Sequence, residues 1–233
     1  MGSRRGILHL QLFSHSLQSL SEFYSEVLGL EVAERAEGIR VQAGATQIDF
    51  RPCGPDSIPP VYHLAFNIPE NKFRQAKRWL SLRTALLSRQ GQDEFDFRDW
   101  NAQAFYFEDP GGNILELIAR HELDNASQGP FTPQDILNAS EIGLPVDDVI
   151  GAASEIESCL GLPRYRAATQ EFATMGDEHR LLILVRQGHI WWPTSSGEAQ
   201  AFPLTAELQG ERPAQLQLSG TPFRISVTDS ADF

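Results

Sequence analysis

The chain reads as an α+β protein built from repeated βαβββ units, and three observations predict this. Residues 7–30 (ILHLQLFSHSLQSLSEFYSEVLGL) lie without gaps over residues 139–162 (ASEIGLPVDDVIGAASEIESCLGL), so that Leu12 meets Leu144 and Leu28-Gly29-Leu30 meets Leu160-Gly161-Leu162. In each copy a short run of alternating apolar residues gives way to an apolar stripe of period 3.6, and further short alternating runs follow. The chain has 233 residues, 41% of them apolar, enough to enclose a substantial core.

The elements follow in order. Residues 7–13 alternate as a strand, with Ile7, His9, Gln11 and Phe13 on one face and Leu8, Leu10 and Leu12 on the other. Leu17, Leu20, Phe23, Tyr24, Val27 and Leu28 then recur at helical spacing, and Gly29 suits a left-handed cap. Strands over 31–33, 38–42 and 46–51 complete unit one. Prolines within 52–60 break the ladder and mark a connection. Unit two opens with a strand over 61–68 and a helix over 71–80, whose apolar stripe is Phe73, Ala76, Trp79 and Leu80. A polar inserted loop, 88–100, precedes strands over 104–107 and 114–119, joined by Asp109-Pro110-Gly111-Gly112, where Pro presets one φ and Gly supplies a positive one. The composition of 125–133 reads as a linker. Unit three comprises a strand over 141–146, a helix over 149–160 and strands over 164–168, 171–175 and 181–185. Strands over 216–218 and 223–227 suggest a truncated fourth unit without a helix. The expected organisation is a paired lobe over 1–124, a linker over 125–138 and a second lobe over 139–233.

Charge narrows the partners. The chain carries 19 basic against 31 acidic residues, a formal −12, and no Lys/Arg cluster offers the footprint of a phosphate backbone, so nucleic acid and anionic membrane are not expected. No apolar stretch reaches the roughly 18 residues of a membrane span. The first six residues have no signal-like apolar core behind them. Two cysteines, Cys53 and Cys159, are too few for a disulfide scaffold, and a reducing, cytoplasmic setting is expected.

The residues that carry chemistry stand at matching places. His9 and His63 are each the third residue of a unit's first strand, and Glu116 lies in the last strand of unit two. Two imidazoles and a carboxylate with open positions opposite suit Fe(II) or Mn(II), and Zn(II) can use the same set. A carboxylate among Leu115, Leu117, Ile114 and Ile118 is costly to bury unless it is paired or metal-bound. Asp49 holds the corresponding place in the last strand of unit one, as a reserve ligand or base. Glu141 occupies the place of His9 in unit three, and LLILV (181–185) offers no carboxylate opposite, so that unit reads as having lost the chemistry. His179, His189, Trp191 and Trp192 read as an aromatic plug between lobes, and Arg51, Arg98 and Arg120 as solvated rim charges.

His9 in its strand-helix segment, His63 in VYHLAF and Glu116 in FYFEDPGGNILEL together resemble the motif segments of the vicinal oxygen chelate superfamily, which includes glyoxalase I, extradiol dioxygenases, fosfomycin resistance enzymes and bleomycin-binding proteins. The resemblance implies βαβββ modules paired into curled mixed sheets around a divalent metal that chelates neighbouring oxygens of a small molecule. It implies His9, His63 and Glu116 as metal ligands, on Fe(II) or Mn(II) in the manner of the dioxygenases, or Zn(II) or Ni(II) in that of glyoxalase I. Tyr106 matches a tyrosine that dioxygenases place beside the metal, as a proton donor or acceptor. A glyoxalase I-like lyase or isomerase and a non-catalytic, bleomycin-resistance-like binding protein are the alternatives. The active assembly is expected to be a monomer or a homodimer.

Overall fold

The computed structural model describes residues 6–229, and the expectation about the start of the chain falls on residues 1–5, outside them. Among the described residues, fourteen strands form two sheets of seven. Unit one supplies β1 (Ile7–Ser14), β2 (Glu31–Arg35), β3 (Gly38–Ala43) and β4 (Thr46–Pro52). Unit two supplies β5 (His63–Ile68), β6 (Phe95–Phe97), β7 (Ala102–Glu108) and β8 (Ile114–Arg120). Unit three supplies β9 (Asn138–Val146), β10 (Phe172–Asp177) and β11 (Arg180–Arg186), and unit four β12 (Leu204–Gln209), β13 (Ala214–Gln217) and β14 (Phe223–Thr228).

Sheet A runs β13-β14-β12-β1-β4-β3-β2, and sheet B runs β10-β11-β9-β5-β8-β7-β6. The sheets therefore do not follow the expected lobes 1–124 and 139–233. Unit one shares a sheet with unit four through the antiparallel pair β1/β12, and unit two with unit three through β5/β9. The physical reason is that the stretch 125–138 docks onto unit two. The Asn125 side chain accepts from the Glu70 amide at 2.8 Å, Gln75 accepts from the Phe131 amide at 3.0 Å, and the buried Lys72 ammonium donates to the Gln128 and Gly129 carbonyls. Pinned there, the chain runs directly into β9 against the free edge of β5, with Phe66 opposite Ala139.

Three helices accompany the sheets: α1 (Leu17–Glu22), α2 (Phe73–Ser81) and α3 (Val149–Leu160). The first apolar stripe continues past α1 as a π-helical turn over Phe23–Val27, and Gly29 closes it at φ 64°, the left-handed cap its position predicts. In α3 the Asp148 carboxylate caps the Gly151 amide at 2.9 Å. Residues 164–168 form no strand beyond a single bridge from Arg164 to Met175. Phe95–Phe97 inside the expected 88–100 loop forms one, and β12 completes a helix-free fourth unit of three strands.

Both sheets turn their apolar faces to one common core, which takes Leu10, Leu12 and Ile48 from sheet A and Leu64, Phe66 and Leu117 from sheet B. Because strand residues alternate, His9, Gln11 and Asp49 face away from that core on sheet A, as His63, Ala65 and Glu116 do on sheet B. The outer face of sheet B is itself roofed, by aromatic side chains and by the segment between β11 and β12, and buries a second apolar cluster that includes Ala65, Tyr106, Ile183 and Trp191.

Candidate metal centre

The register of three adjacent strands builds the site. Ala65 on β5 stands opposite Glu116 on β8 and opposite Glu141 on β9. Its methyl group leaves room for two carboxylates to converge from the flanking strands, and His63 stands two residues along on the same face. The ligand atoms of His63, Glu116 and Glu141 lie within 4.8 Å of one another, with all three residues buried. From His63 Nε2 the distance is 3.6 Å to Glu116 and 3.8 Å to Glu141. The other ring nitrogen, Nδ1, lies 3.1 Å from the Ile114 carbonyl, a partner that would take its proton and free the Nε2 lone pair for a metal between the carboxylates.

The structure thus brings His63 and Glu116 together and puts Glu141, not His9, beside them. His9 faces out from sheet A, where its Nε2 lies 3.0 Å from Asp49. Asp49 in turn accepts two hydrogen bonds from Arg40, at 2.6 and 2.7 Å, and that guanidinium holds its carboxyl below the usual range. Asp49 is therefore no reserve ligand or base for the sheet B cluster. Unit three also contributes to the cluster, since its Glu141 is the third buried member. The repeat alignment placed Glu141 correctly on its strand; what it lacked was which unit pairs with unit two.

Burial and mutual proximity perturb all three ionisable groups of the cluster. Burial, and then the charge of Glu141, push the Glu116 carboxyl up to about 8. Burial acts on Glu141 in the same sense, but the Arg120 guanidinium and then His63 outweigh it and hold Glu141 below the usual range. For His63, burial disfavours the charged ring, and the two carboxylates outweigh it and raise its pKa. Two buried carboxylates and an oriented imidazole have the donor chemistry of a divalent metal site, and the residues present fit one.

Over the cluster lies a cavity of about 150 Å³ with largely aromatic walls. Tyr106, opposite Glu116 in the β7/β8 ladder, lines it, and burial followed by the two glutamate charges keeps its hydroxyl protonated well above the ordinary range. Phe97 and Trp100 reach it from the 88–100 segment, whereas no residue of the 53–60 connection lines it. His189, Trp191 and Trp192 close it from the segment after β11. They cover this cavity and do not plug a boundary between lobes, and His179 sits apart in the β10–β11 turn. Trp191 packs 5.4 Å from the His63 ring and lies where a Cβ on residue 143 would stand, so Gly143 is what admits it. Arg120, expected on the rim, is fully buried on the concave face beneath Trp100.

Curled sheets of tandem βαβββ units around a His/Glu/Glu cluster define a protein of the vicinal oxygen chelate kind. Residues 6–117, just under half of the chain, match the model of the Glyoxalase/Bleomycin resistance protein/Dioxygenase superfamily, which supports the vicinal oxygen chelate fold. Among solved structures, a candidate dioxygenase from Bacillus subtilis subsp. subtilis str. 168 superimposes with a TM-score of 0.62 at 17% identity, covering 97% of this chain and 85% of the other. Glyoxalase I from Zea mays superimposes with a TM-score of 0.56 at 15% identity, covering 97% and 93%. At these identities the likeness is one of fold. Comparison with curated proteins returns no match. No helix among the described residues is long and apolar enough to cross a membrane.

Proposed function

We propose that the chain is a metal-dependent enzyme acting on a small, uncharged, ring-sized molecule with two neighbouring oxygens, with dioxygenation favoured over glyoxalase-type isomerisation. The observation that carries this reading is the buried His63, Glu116 and Glu141 cluster at the floor of an aromatic cavity. These residues would hold the metal; two carboxylates suit Mn(II), while one imidazole instead of two departs from the set that usually selects non-haem Fe(II). Bound there, it would supply Lewis acidity that orients adjacent oxygens and, as Fe(II), a centre for O2. The protein's own residues do the rest. A cavity of about 150 Å³ matches a single aromatic ring, since engineered apolar cavities of that size take up benzene. Its walls carry no Lys or Arg, which disfavours the anionic groups of a peptide thiol conjugate or a phosphonate. Tyr106 remains a neutral phenol and a hydrogen-bond donor beside the cluster, and Trp191 and Trp192 contribute apolar wall above it.

The test is oxygen uptake with a panel of catechols by protein reconstituted with Fe(II) or Mn(II), with His63→Ala as control. Uptake by wild type alone supports the reading. Metal binding without uptake, together with turnover of a hemithioacetal, would transfer the assignment to the lyase or isomerase class. Ligand retention without turnover of either would transfer it to the binding class.

A further inference from the structure

Arg120 is the last residue of β8, four positions from Glu116 and on the same face. It is completely buried, an unusual place for a guanidinium, which at this depth needs partners. Its Nη2 donates to Oε1 of Glu141, and its Nε donates to Asn67 Oδ1 at 3.2 Å. Asn67 is itself anchored, donating to the Glu178 carbonyl at 2.9 Å. The Trp100 ring lies 5.5 Å from the guanidinium carbon, and Nη1 has no hydrogen-bond partner among the described residues. One oxygen of Glu141 is therefore occupied by Arg120, and the other, Oε2, is the one that lies 3.8 Å from His63 Nε2.

We propose that Arg120 is a positioning residue for the metal centre, a clamp that fixes Glu141 so that a single oxygen faces the metal position and that offsets one of the two carboxylate charges. The inference rests on the metal reading above. Two consequences follow from the geometry. With Oε1 held by Arg120, Glu141 is a one-oxygen ligand, which leaves coordination positions open for substrate oxygens. With a metal bound and both carboxylates ionised, one guanidinium set against two carboxylates would leave one net negative charge beside a neutral imidazole, so a divalent ion would keep net positive charge and with it Lewis acidity.

The experiment is a chelator-competition measurement of Mn(II) and Co(II) affinity, with the visible spectrum of the Co(II) protein as a second readout. It uses wild type, Arg120→Met, Glu141→Ala and the double variant, each checked for fold by circular dichroism. Arg120→Met is expected to loosen the metal by roughly 10–100-fold, the usual effect of losing a residue that orients a ligand, and to change the Co(II) spectrum. In the Glu141→Ala background the same change is expected to do nothing further, because the ligand it positions is gone. Arg120→Lys keeps the charge but not the two-armed reach to Glu141 and Asn67, and is expected to lose a few-fold. Should Arg120→Met not fold, this variant carries the test. Wild-type affinity and spectrum in folded Arg120→Met, or in Arg120→Lys where that variant stands in, overturn the clamp. An equal loss with and without Glu141 also overturns it, as does a drop in melting temperature with no change in affinity. A wild type that binds no metal overturns the metal reading itself, and the clamp with it.

Discussion

At the scale of single residues, the contrast between His9 and His63 is instructive, because the sequence makes them equals. The sequence predicts each as the third residue of a unit's opening strand, and each faces away from the common core. They differ in what the neighbouring strands bring. Beside His9 the carboxylate of Asp49 is already held by Arg40, on a half-exposed face; beside His63 two buried glutamates converge. Replacing His9 by Ala is therefore expected to leave metal content unchanged, whereas His63→Ala abolishes it, as metal analysis of the purified proteins would show. His63, Glu116 and Tyr106 were legible in the sequence from their motif segments. Glu141 was visible there too, as the residue aligned with His9, but a repeat alignment gives position on a strand and says nothing of which strands are neighbours. Arg120 was misplaced on the rim because a charged residue at a strand end is ordinarily solvated, and only tertiary structure supplies the buried carboxylate that draws it in.

At the scale of elements, strand and helix periodicity located most of the units, and the turn Asp109-Pro110-Gly111-Gly112 fell where Pro and Gly placed it. What periodicity could not convey is that this turn also joins unit two to unit one. Asp109 is buried and accepts hydrogen bonds from the Gly111 and Asn113 amides at 2.9 and 3.0 Å, the Asn113 side chain at 2.8 Å and the Tyr24 hydroxyl at 3.0 Å. Burial nevertheless dominates and pushes its carboxyl up to about 6. A carboxyl raised on folding favours the folded state fully below its unfolded value, near 4, and loses that advantage as pH rises to about 6. Wild type is accordingly expected to lose roughly 2 kcal/mol relative to Asp109→Asn between pH 4 and pH 6.5, read from urea melts across that range. A flat difference would mean that Asp109 titrates normally. The segment after β11 makes a second prediction. A methyl group at residue 143 would stand 2.5 Å from the Trp191 ring, so Gly143→Ala must displace that ring from His63. The expected cost is about 1–3 kcal/mol, with a shift in tryptophan fluorescence as the indole moves toward water. Unchanged emission would place Trp191 elsewhere.

At the scale of the whole molecule, the nested order, unit one with four and unit two with three, sets what can stand alone. A fragment ending at residue 124 keeps β1 and β5 but loses β12 and β9, leaving two long strand edges unpaired and the metal cluster without Glu141. Such a fragment is expected to self-associate or aggregate and to bind no metal, as size-exclusion chromatography and metal titration would report. A monomeric, metal-binding fragment would contradict the nested topology. The fold class was legible from repeat and period, but the pairing was not, because it depends on the stretch 125–138 docking against α2 and delivering β9 to the edge of β5. Those contacts use backbone amides and a buried Lys72, which carry no distinctive pattern in sequence.

The central claim is that one metal centre lies on sheet B and is made by His63, Glu116 and Glu141. The most direct test is metal stoichiometry after reconstitution with Mn(II), measured together on wild type, His9→Ala, His63→Ala and Glu141→Ala. About one ion per chain is expected in wild type and His9→Ala, with its loss or severe weakening in the other two. Retention of the ion in Glu141→Ala together with its loss in His9→Ala would contradict that claim and move the centre to sheet A.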